Sequence, residues 1–389
     1  VDFEPTEDQR QLRDVLARIV EREYGPLQWR EHQRSAEGFG RRPWRLLAEA
    51  GVLALPLPER DGGLGGSPAE LAIVMEAIGR GLMLEPVLAS VVTAGGLVAD
   101  RGDAAQRQAL LPSLADGSRI ATAALHEPGR RHALEPELTR ATADGPGWRL
   151  DGCKSLVPHG GQADWLVIPA HDAAAAVGER VRLFVVPRDA PGLAVRDYAT
   201  ADGARAADLV LDGVRVPAEA QLGEPAGAPA AIERIADLTT AALCMQAIGV
   251  MDRLCALTFE HLRTRRQFGQ PIGRFQALAH RAADMSMQTE MCRSLAWVAA
   301  LSCGDPQPAT RRRAVSAAKA LVGRYGRRIA QAAAQLHGGM GVTEDLEATR
   351  YAKWLTLVDY RFGDADHHAA RFEADTGTPA GAGVAPIPP

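Results

Sequence analysis

The chain has 389 residues, 44 of them Lys or Arg against 48 Asp or Glu, and 46% are hydrophobic. That length exceeds the usual single domain, so two or three domains with sizeable cores are expected. The charge is close to balanced and no block of like sign stands out, which argues against nucleic-acid binding and against a polybasic membrane patch.

Read in chain order, Val1-Asp2-Phe3-Glu4-Pro5 lacks the form of a signal sequence. Thr6-Glu7-Asp8-Gln9 then has the form of a helix start, with Thr6 as cap, and apolar spacing follows through Leu12, Val15, Leu16 and Ile19. Trp44, Leu46, Leu47 and Ala50 mark another helix that ends at Gly51. The run from Pro56 to Gly66 is a loop, and it lacks the Lys-Ser/Thr of a phosphate-binding loop, so its glycines are expected to be structural. Helical spacing resumes from Glu70 to Glu85. From about Ile120 the pattern changes to short apolar runs at 148–150, 164–168, 181–186, 193–195 and 208–211, separated by Gly, Pro and Asp, which indicates an all-β domain. Past Glu224 the chain is alanine-rich and helical to about Arg371, with pattern lengths suited to a bundle. The tail Thr376 to Pro389 is rich in Gly, Pro and Ala and is expected to be disordered.

The five cysteines (Cys153, Cys244, Cys255, Cys292 and Cys303) form no C-x-x-C pair, and three of them lie in apolar helical patterns, where a buried reduced thiol is usual. A cytoplasmic location fits them. No apolar run reads as long enough to cross a membrane, so no membrane insertion is expected.

Two motifs in the helical region carry the chemistry. Arg265-Arg266-Gln267-Phe268-Gly269-Gln270-Pro271-Ile272-Gly273-Arg274-Phe275-Gln276 gathers guanidinium, amide and aromatic groups around one turn. Arginine offers a planar fork of donors to a pyrophosphate, and an aromatic with a primary amide can cover and hydrogen-bond an adenine or ribose. Downstream, Gln335-Leu336-His337-Gly338-Gly339-Met340-Gly341 ends a helix in glycines that let main-chain N–H groups come close to a phosphate or ribose.

These motifs resemble two signatures of the acyl-CoA dehydrogenase family, R-x-x-F-G-x-x-(I/L)-x-x-x-Q and Q-x-x-G-G-x-G, at Arg265, Phe268, Gly269, Ile272, Gln276, Gln335, Gly338, Gly339 and Gly341. The resemblance covers the chain up to the tail. It implies an α+β multidomain fold: an N-terminal helical domain over 1–118, a central β-barrel domain over 119–223, a C-terminal four-helix bundle over 224–375 and a flexible tail over 376–389. It also implies FAD as cofactor, with Arg265, Phe268, Gln276, Gln335, Gly338 and Gly339 on its ADP portion, an acyl-CoA thioester as substrate, and electron-transfer flavoprotein as a possible acceptor.

The chain departs from the family where the catalytic base belongs. Ungapped alignment from Gly338 places Phe362 on the glutamate of Y-E-G-T, and the alternative glutamate seat on the first long bundle helix holds Thr239, with Thr240 beside it. None of these side chains is a base at neutral pH. The flavin-ring signatures are altered as well. His126 stands at the hydroxyl position of A-x-T-E-P, and Lys154-Ser155-Leu156-Val157-Pro158-His159 replaces K-x-(W/F)-I-(T/S)-N, with Pro158 at the hydroxyl. In this family each FAD is shared between subunits, so a chain with only the ADP half intact resembles the base-lacking subunits of heteromeric bacterial acyl-CoA dehydrogenases, such as the small subunit of pimeloyl-CoA dehydrogenase. The resemblance implies a second subunit of the family, in a heterodimer or heterotetramer.

Two further readings stand beside that one. A homomeric enzyme with a displaced base would draw on Asp359, Asp364, Asp366 or His367, although Asp364 and Asp366 are more simply acids at a helix N-terminus. A non-catalytic acyl-CoA-binding scaffold is the other. His367 and His368 diverge on a helix without further ligands nearby, so no metal site is expected. Bundle helices apolar on more than one face call for a partner in any of these readings, a homo-oligomer included.

Overall fold

The computed structural model describes residues 6–376. Two compact units divide within one long helix, Val1–Gly249 and Val250–Pro389.

The first unit opens with α1 (Glu7–Glu23), α2 (Pro26–Arg34), α3 (Arg41–Glu49) and α4 (Pro68–Gly81). Thr6 caps α1 through a reciprocal pair: the Gln9 N–H donates to Thr6 Oγ1 and the Thr6 N–H to Gln9 Oε1. The glycine-rich loop before α4 is structural, as expected. Its N–H groups at Gly63, Gly65 and Gly66 donate to Pro58, Leu57 and Leu55, and a Cβ on Gly63 would lie 2.1 Å from the Leu57 carbonyl oxygen.

Helix α4 is shorter than the spacing over Glu70 to Glu85 implies. Leu82 takes φ 49°, and the Met83 N–H donates back to Ile78 O, which closes the helix. The cause lies far away in sequence. Tyr24 Oη donates to both oxygens of Glu85, at 2.6 and 2.5 Å, accepts from the Leu84 N–H, and so draws 84–85 out of helical register. Beyond it a π-helical turn, Leu88–Ala94, runs into α5 (Gly95–Arg101) and α6 (Ala104–Ala115).

The β region of this unit contains β1 (Ala121–Ala123), β2 (Arg140–Asp144), β3 (Gly147–Pro158), β4 (Trp165–His171), β5 (Val181–Pro187), β6 (Leu193–Ala199) and β7 (Arg205–Val216). The five apolar runs all become strands; β1 and β2, which carry no such runs, escape the sequence pattern. The long antiparallel pair β3 and β7 is the spine, β6 flanks β7, and β4 joins β1 and β2 on one side to β5 on the other. Leu150, Leu166, Leu183, Phe184, Val186, Leu209 and Val214 are buried in the core that this curled sheet encloses. Among the described residues no ladder joins β5 to β6.

Helix α7 (Ala228–Thr264) carries the chain from the first unit into the second. The segment Pro225–Thr264 is long and apolar enough to cross a membrane by length and composition, with mean hydropathy 1.4, which corrects the expectation that no run reaches that length. Its most apolar window is 72% buried inside the protein, as a core helix would be. Two glycines set its crossing of α4. A Cβ on Gly79 would sit 1.9 Å from Gln246 O, and one on Gly249 the same distance from Glu76 O.

The second unit continues with the short strands β8 (Arg266–Gln267) and β9 (Gln270–Pro271), then α8 (Gln276–Ser302), α9 (Pro308–His337), α10 (Glu347–Val358) and α11 (Ala365–Thr376). Helix α9 packs against α8, α10 and α11 and buries Val315, Ala318, Val322, Ile329, Ala333 and Leu336. Thr376 thus ends a helix, and the rest of the expected disordered tail, 377–389, lies outside the described residues. All five cysteines are free, and Cys244, Cys255 and Cys292 are buried.

Candidate functional site

The Arg265 motif forms a tight hairpin at the end of α7. The Arg265 N–H donates to His261 O as the helix closes, and the Ile272 N–H donates to Arg265 O at 2.8 Å. Between these bonds Gln267 pairs with Gln270 across a two-residue turn, Phe268-Gly269, whose φ values are 51° and 81°. Left-handed conformation at both central residues is the hairpin turn that matches strand twist, although it costs a phenylalanine some strain. Phe268 is 89% exposed and meets the edge of Phe275, ring centroids 6.0 Å apart. The Arg266 guanidinium donates to Gly269 O and so braces the turn, whereas the exposed Arg265 side chain has no hydrogen-bond or ion-pair partner among the described residues. Gln276, also exposed, opens α8.

The Gln335 motif ends α9. Gly338 takes φ 62°, and the turn Gly338–Val342 follows. Its three glycines have separable reasons. A Cβ on Gly341 would lie 2.3 Å from Ala334 O, so the fold requires that glycine. A Cβ on Gly338 or Gly339 would meet nothing within 4 Å, and Gly339 does not have a positive φ. Nothing among the described residues demands a bare backbone at Gly339, which is what a backbone left clear for a ligand looks like. Gln335 faces outward from α9.

The two motifs are joined by a contact that sequence reasoning missed. The rings of His261 and His337 stack, with centroids 4.6 Å apart and planes at 29°. All six residues expected on an ADP portion, Arg265, Phe268, Gln276, Gln335, Gly338 and Gly339, are exposed. Cationic, amide, aromatic and bare-backbone groups at one end of the second unit fit a dinucleotide's pyrophosphate and adenosine.

The two places where the resemblance expects the glutamate hold Phe362 and Thr239. Phe362 lies in the turn between α10 and α11 with φ 53°, followed by Gly363 with φ 107°. That turn is locked from below. Lys319 Nζ, fully buried on α9, donates to Asp359 O at 3.0 Å and to Gly363 O at 2.5 Å, and a ring nitrogen of buried His368 lies 2.9 Å from Phe362 O. Asp359 has both carboxylate oxygens engaged, one by the Ala365 N–H and one by Arg327. Asp364 caps α11 by accepting from the His367 N–H, and Asp366 sits exposed in its first turn. Burial, with Lys319, His367 and Arg371 nearby, pushes the His368 imidazole down to about 3 against the help of Phe362 O. In the first unit Thr239 is fully buried, donating to Ile235 O at 2.7 Å with Thr93 Oγ1 at 3.0 Å, and Thr240 donates to Ala236 O.

In the β region, Glu127, Lys154 and Pro158, which lie in the segments expected to face a flavin ring, have partners within the chain. Glu127 accepts from the N–H groups of Glu137, Leu138 and Thr139 and from Lys154 Nζ at 2.9 Å, both ends of the ion pair being buried. Burial alone would raise the Glu127 carboxyl, but those donors outweigh it and hold it at about 2. Burial brings Lys154 down to about 8 in spite of Glu127, and burial with His132 and Lys154 brings His126 to about 4. The carbonyl of Pro158 accepts from Thr122 Oγ1. Pro158 supplies no hydroxyl and Leu156 no aromatic ring at the positions where the resemblance sets them.

Comparison with known proteins bears on the family. Family models described as the N-terminal, middle and C-terminal domains of acyl-CoA dehydrogenase match residues 6–118, 122–214 and 226–368. Acyl-CoA dehydrogenase FadE27 of Mycobacterium tuberculosis is 33% identical over 376 residues, covering 94% of this chain and 96% of that protein. A chain of the ChsE4-ChsE5 complex from Mycobacterium tuberculosis superposes with a TM-score of 0.88 at 30% identity, covering 98% of this chain and 100% of that one. A chain of the Tcur3481-Tcur3483 steroid ACAD, G363A variant, gives 0.85 at 31% identity, over 95% and 98%. The chain belongs to the acyl-CoA dehydrogenase family, whose cofactor is FAD.

Proposed function

We propose that this chain is the subunit of a heteromeric acyl-CoA dehydrogenase that completes an FAD site from the ADP side, while a second family member supplies the catalytic glutamate and the flavin-ring contacts. The observation that carries the reading is an asymmetry. The ADP-side residues lie exposed together, while the two glutamate seats hold Phe362 and the buried Thr239. The likeness to a chain of the ChsE4-ChsE5 complex supports a two-chain assembly. Met287, Met291, Val298 and Leu301 leave an apolar stripe exposed along one side of α8, a surface suited to a partner's helix.

FAD, when bound, would supply the acceptor for the hydride of the acyl β-carbon in a dehydrogenation whose base removes the α-proton. In this reading the chain's own share is to grip the pyrophosphate with Arg265, to cover the adenosine with Phe268, and to offer backbone at Gly338 and Gly339. The substrate is an acyl-CoA of fatty-acid or steroid side-chain degradation, the enzyme works in the cytoplasm, and electron-transfer flavoprotein takes the electrons. Asp359 and Asp364 already have structural duties, which disfavours a homomeric enzyme with a displaced base.

Arg265→Ala in the assembled complex tests the assignment. Loss of one charge-assisted contact is worth about 1.5–3 kcal/mol, so FAD affinity should fall roughly 10- to 150-fold. Unchanged FAD content would remove Arg265 from the site.

A further inference from the structure

The two halves of the ADP-side surface come from segments some seventy residues apart, on different helices, and something must hold them in register. We propose that His261 and His337 do this: they are positioning residues whose stacked rings fix the Arg265 hairpin against the glycine turn after α9, so that both meet one dinucleotide. The inference rests on the ADP-side reading above and adds the device that assembles it.

The geometry supports it at each end. His261 lies one helical turn before Arg265, and its carbonyl accepts the Arg265 N–H at 2.9 Å, so any shift of His261 moves the root of the hairpin. His337 sits between Gln335 and Gly338, is 7% exposed, and has Nδ1 2.9 Å from Ala333 O. In the neutral ring that bond assigns the hydrogen to Nδ1 and fixes the ring's orientation. The ring planes, 29° apart at 4.6 Å, form a face-to-face contact across the helix ends. Burial, then the neighbouring His337 and Arg265, lowers the pKa of the His261 imidazole, in the direction that suits a stacked neighbour beside an arginine.

A simpler role exists for each histidine, since a basic residue in the last turn of a helix favours the carbonyl end of its dipole. The two roles separate experimentally. A dipole or capping role needs an imidazole and acts within its own helix, whereas positioning needs a flat ring and acts across to the other motif.

The test uses the full chain and its FAD-bound complex with three variants, His337→Ala, His337→Phe and His261→Ala. Hydrogen exchange of the chain without FAD reads the hairpin amides, Ile272 among them. Exchange there should quicken about tenfold in His337→Ala, although the substitution lies far along the chain, and should return close to the wild-type rate in His337→Phe. His261→Ala should quicken exchange in the turn 338–342. FAD affinity of the complex should fall about tenfold in each alanine variant and less than about threefold in His337→Phe. Wild-type hairpin exchange in His337→Ala would overturn the proposal, as would a His337→Phe variant as damaged as the alanine one. Should the coupled exchange appear as expected while wild-type complex binds no FAD, the register device stands and the ADP-side reading falls.

Discussion

Replacing Asp359 by Asn separates a structural carboxylate from a catalytic one. One oxygen accepts the Ala365 N–H at 3.0 Å, and the other faces Arg327. Asn keeps an acceptor for the amide but loses the charge opposite the guanidinium. A fully buried ion pair broken on one side costs about 3–5 kcal/mol, an exposed one about 0–1. Here the Asp359 side chain is 5% exposed and that of Arg327 43%, so solvent takes over much of the arginine's loss. Lys319 still holds the backbone at Asp359 and Gly363, which limits the damage to the turn. We expect a loss of about 1–2 kcal/mol, read as a drop in melting temperature of about 1–3 °C for a chain of this length. Turnover of the assembled complex should stay within about twofold of wild type, because the partner holds the base. Unchanged melting with turnover reduced about a hundredfold or more would refute the reasoning and make Asp359 the base.

Other variants probe separate parts of the account. Gly339→Ala should leave the melting temperature unchanged, because its Cβ points into open space, yet weaken FAD binding at least about tenfold. Gly341→Ala should instead destabilise the chain by about 1–3 kcal/mol through the clash with Ala334 O; equal melting of the two variants would undo the distinction. Burial pushes the Glu85 carboxyl up from 4.5 to about 7 against the donors Tyr24, Gly40 and Leu84. The folded chain therefore holds a proton that the unfolded chain has released between pH 4.5 and 7. The stability this provides is complete below pH 4.5 and is lost as pH rises to 7, by about 3 kcal/mol. Glu85→Gln should flatten that slope in unfolding measured across the interval, and an unaltered slope would count against it.

Much of this was legible because local chemistry decided it. Thr6 and Gln9 cap a helix from four adjacent residues, and the five apolar runs of the β region need only their own alternation and flanking glycines. The motifs around Arg265 and Gln335 were readable through their resemblance to the family's signatures, and His126, Pro158, Thr239 and Phe362 stand out only as departures from those signatures. What stayed hidden depends on partners distant in sequence. Helix α4 stops at Leu82 because Tyr24 reaches Glu85 across 61 residues. The duty of Asp359 is set by Lys319 and Arg327 one helix earlier, and the stack of His261 on His337 joins two helix ends. The apolar length of α7 went unread in the sequence, and the burial of most of its apolar window fits a core helix.

The central claim is that this chain lacks the means to catalyse dehydrogenation alone and completes a partner's FAD site. The direct measurement is acyl-CoA turnover with an artificial electron acceptor, for the isolated wild-type chain, for its Phe362→Glu variant and for the wild-type chain reconstituted with a glutamate-bearing family member. The account predicts no turnover by the isolated chain, no efficient enzyme from Phe362→Glu, and flavin-dependent turnover on reconstitution, since a general base acts only where flavin and thioester are already positioned around it. Turnover by the isolated wild-type chain at ordinary dehydrogenase rates would contradict it.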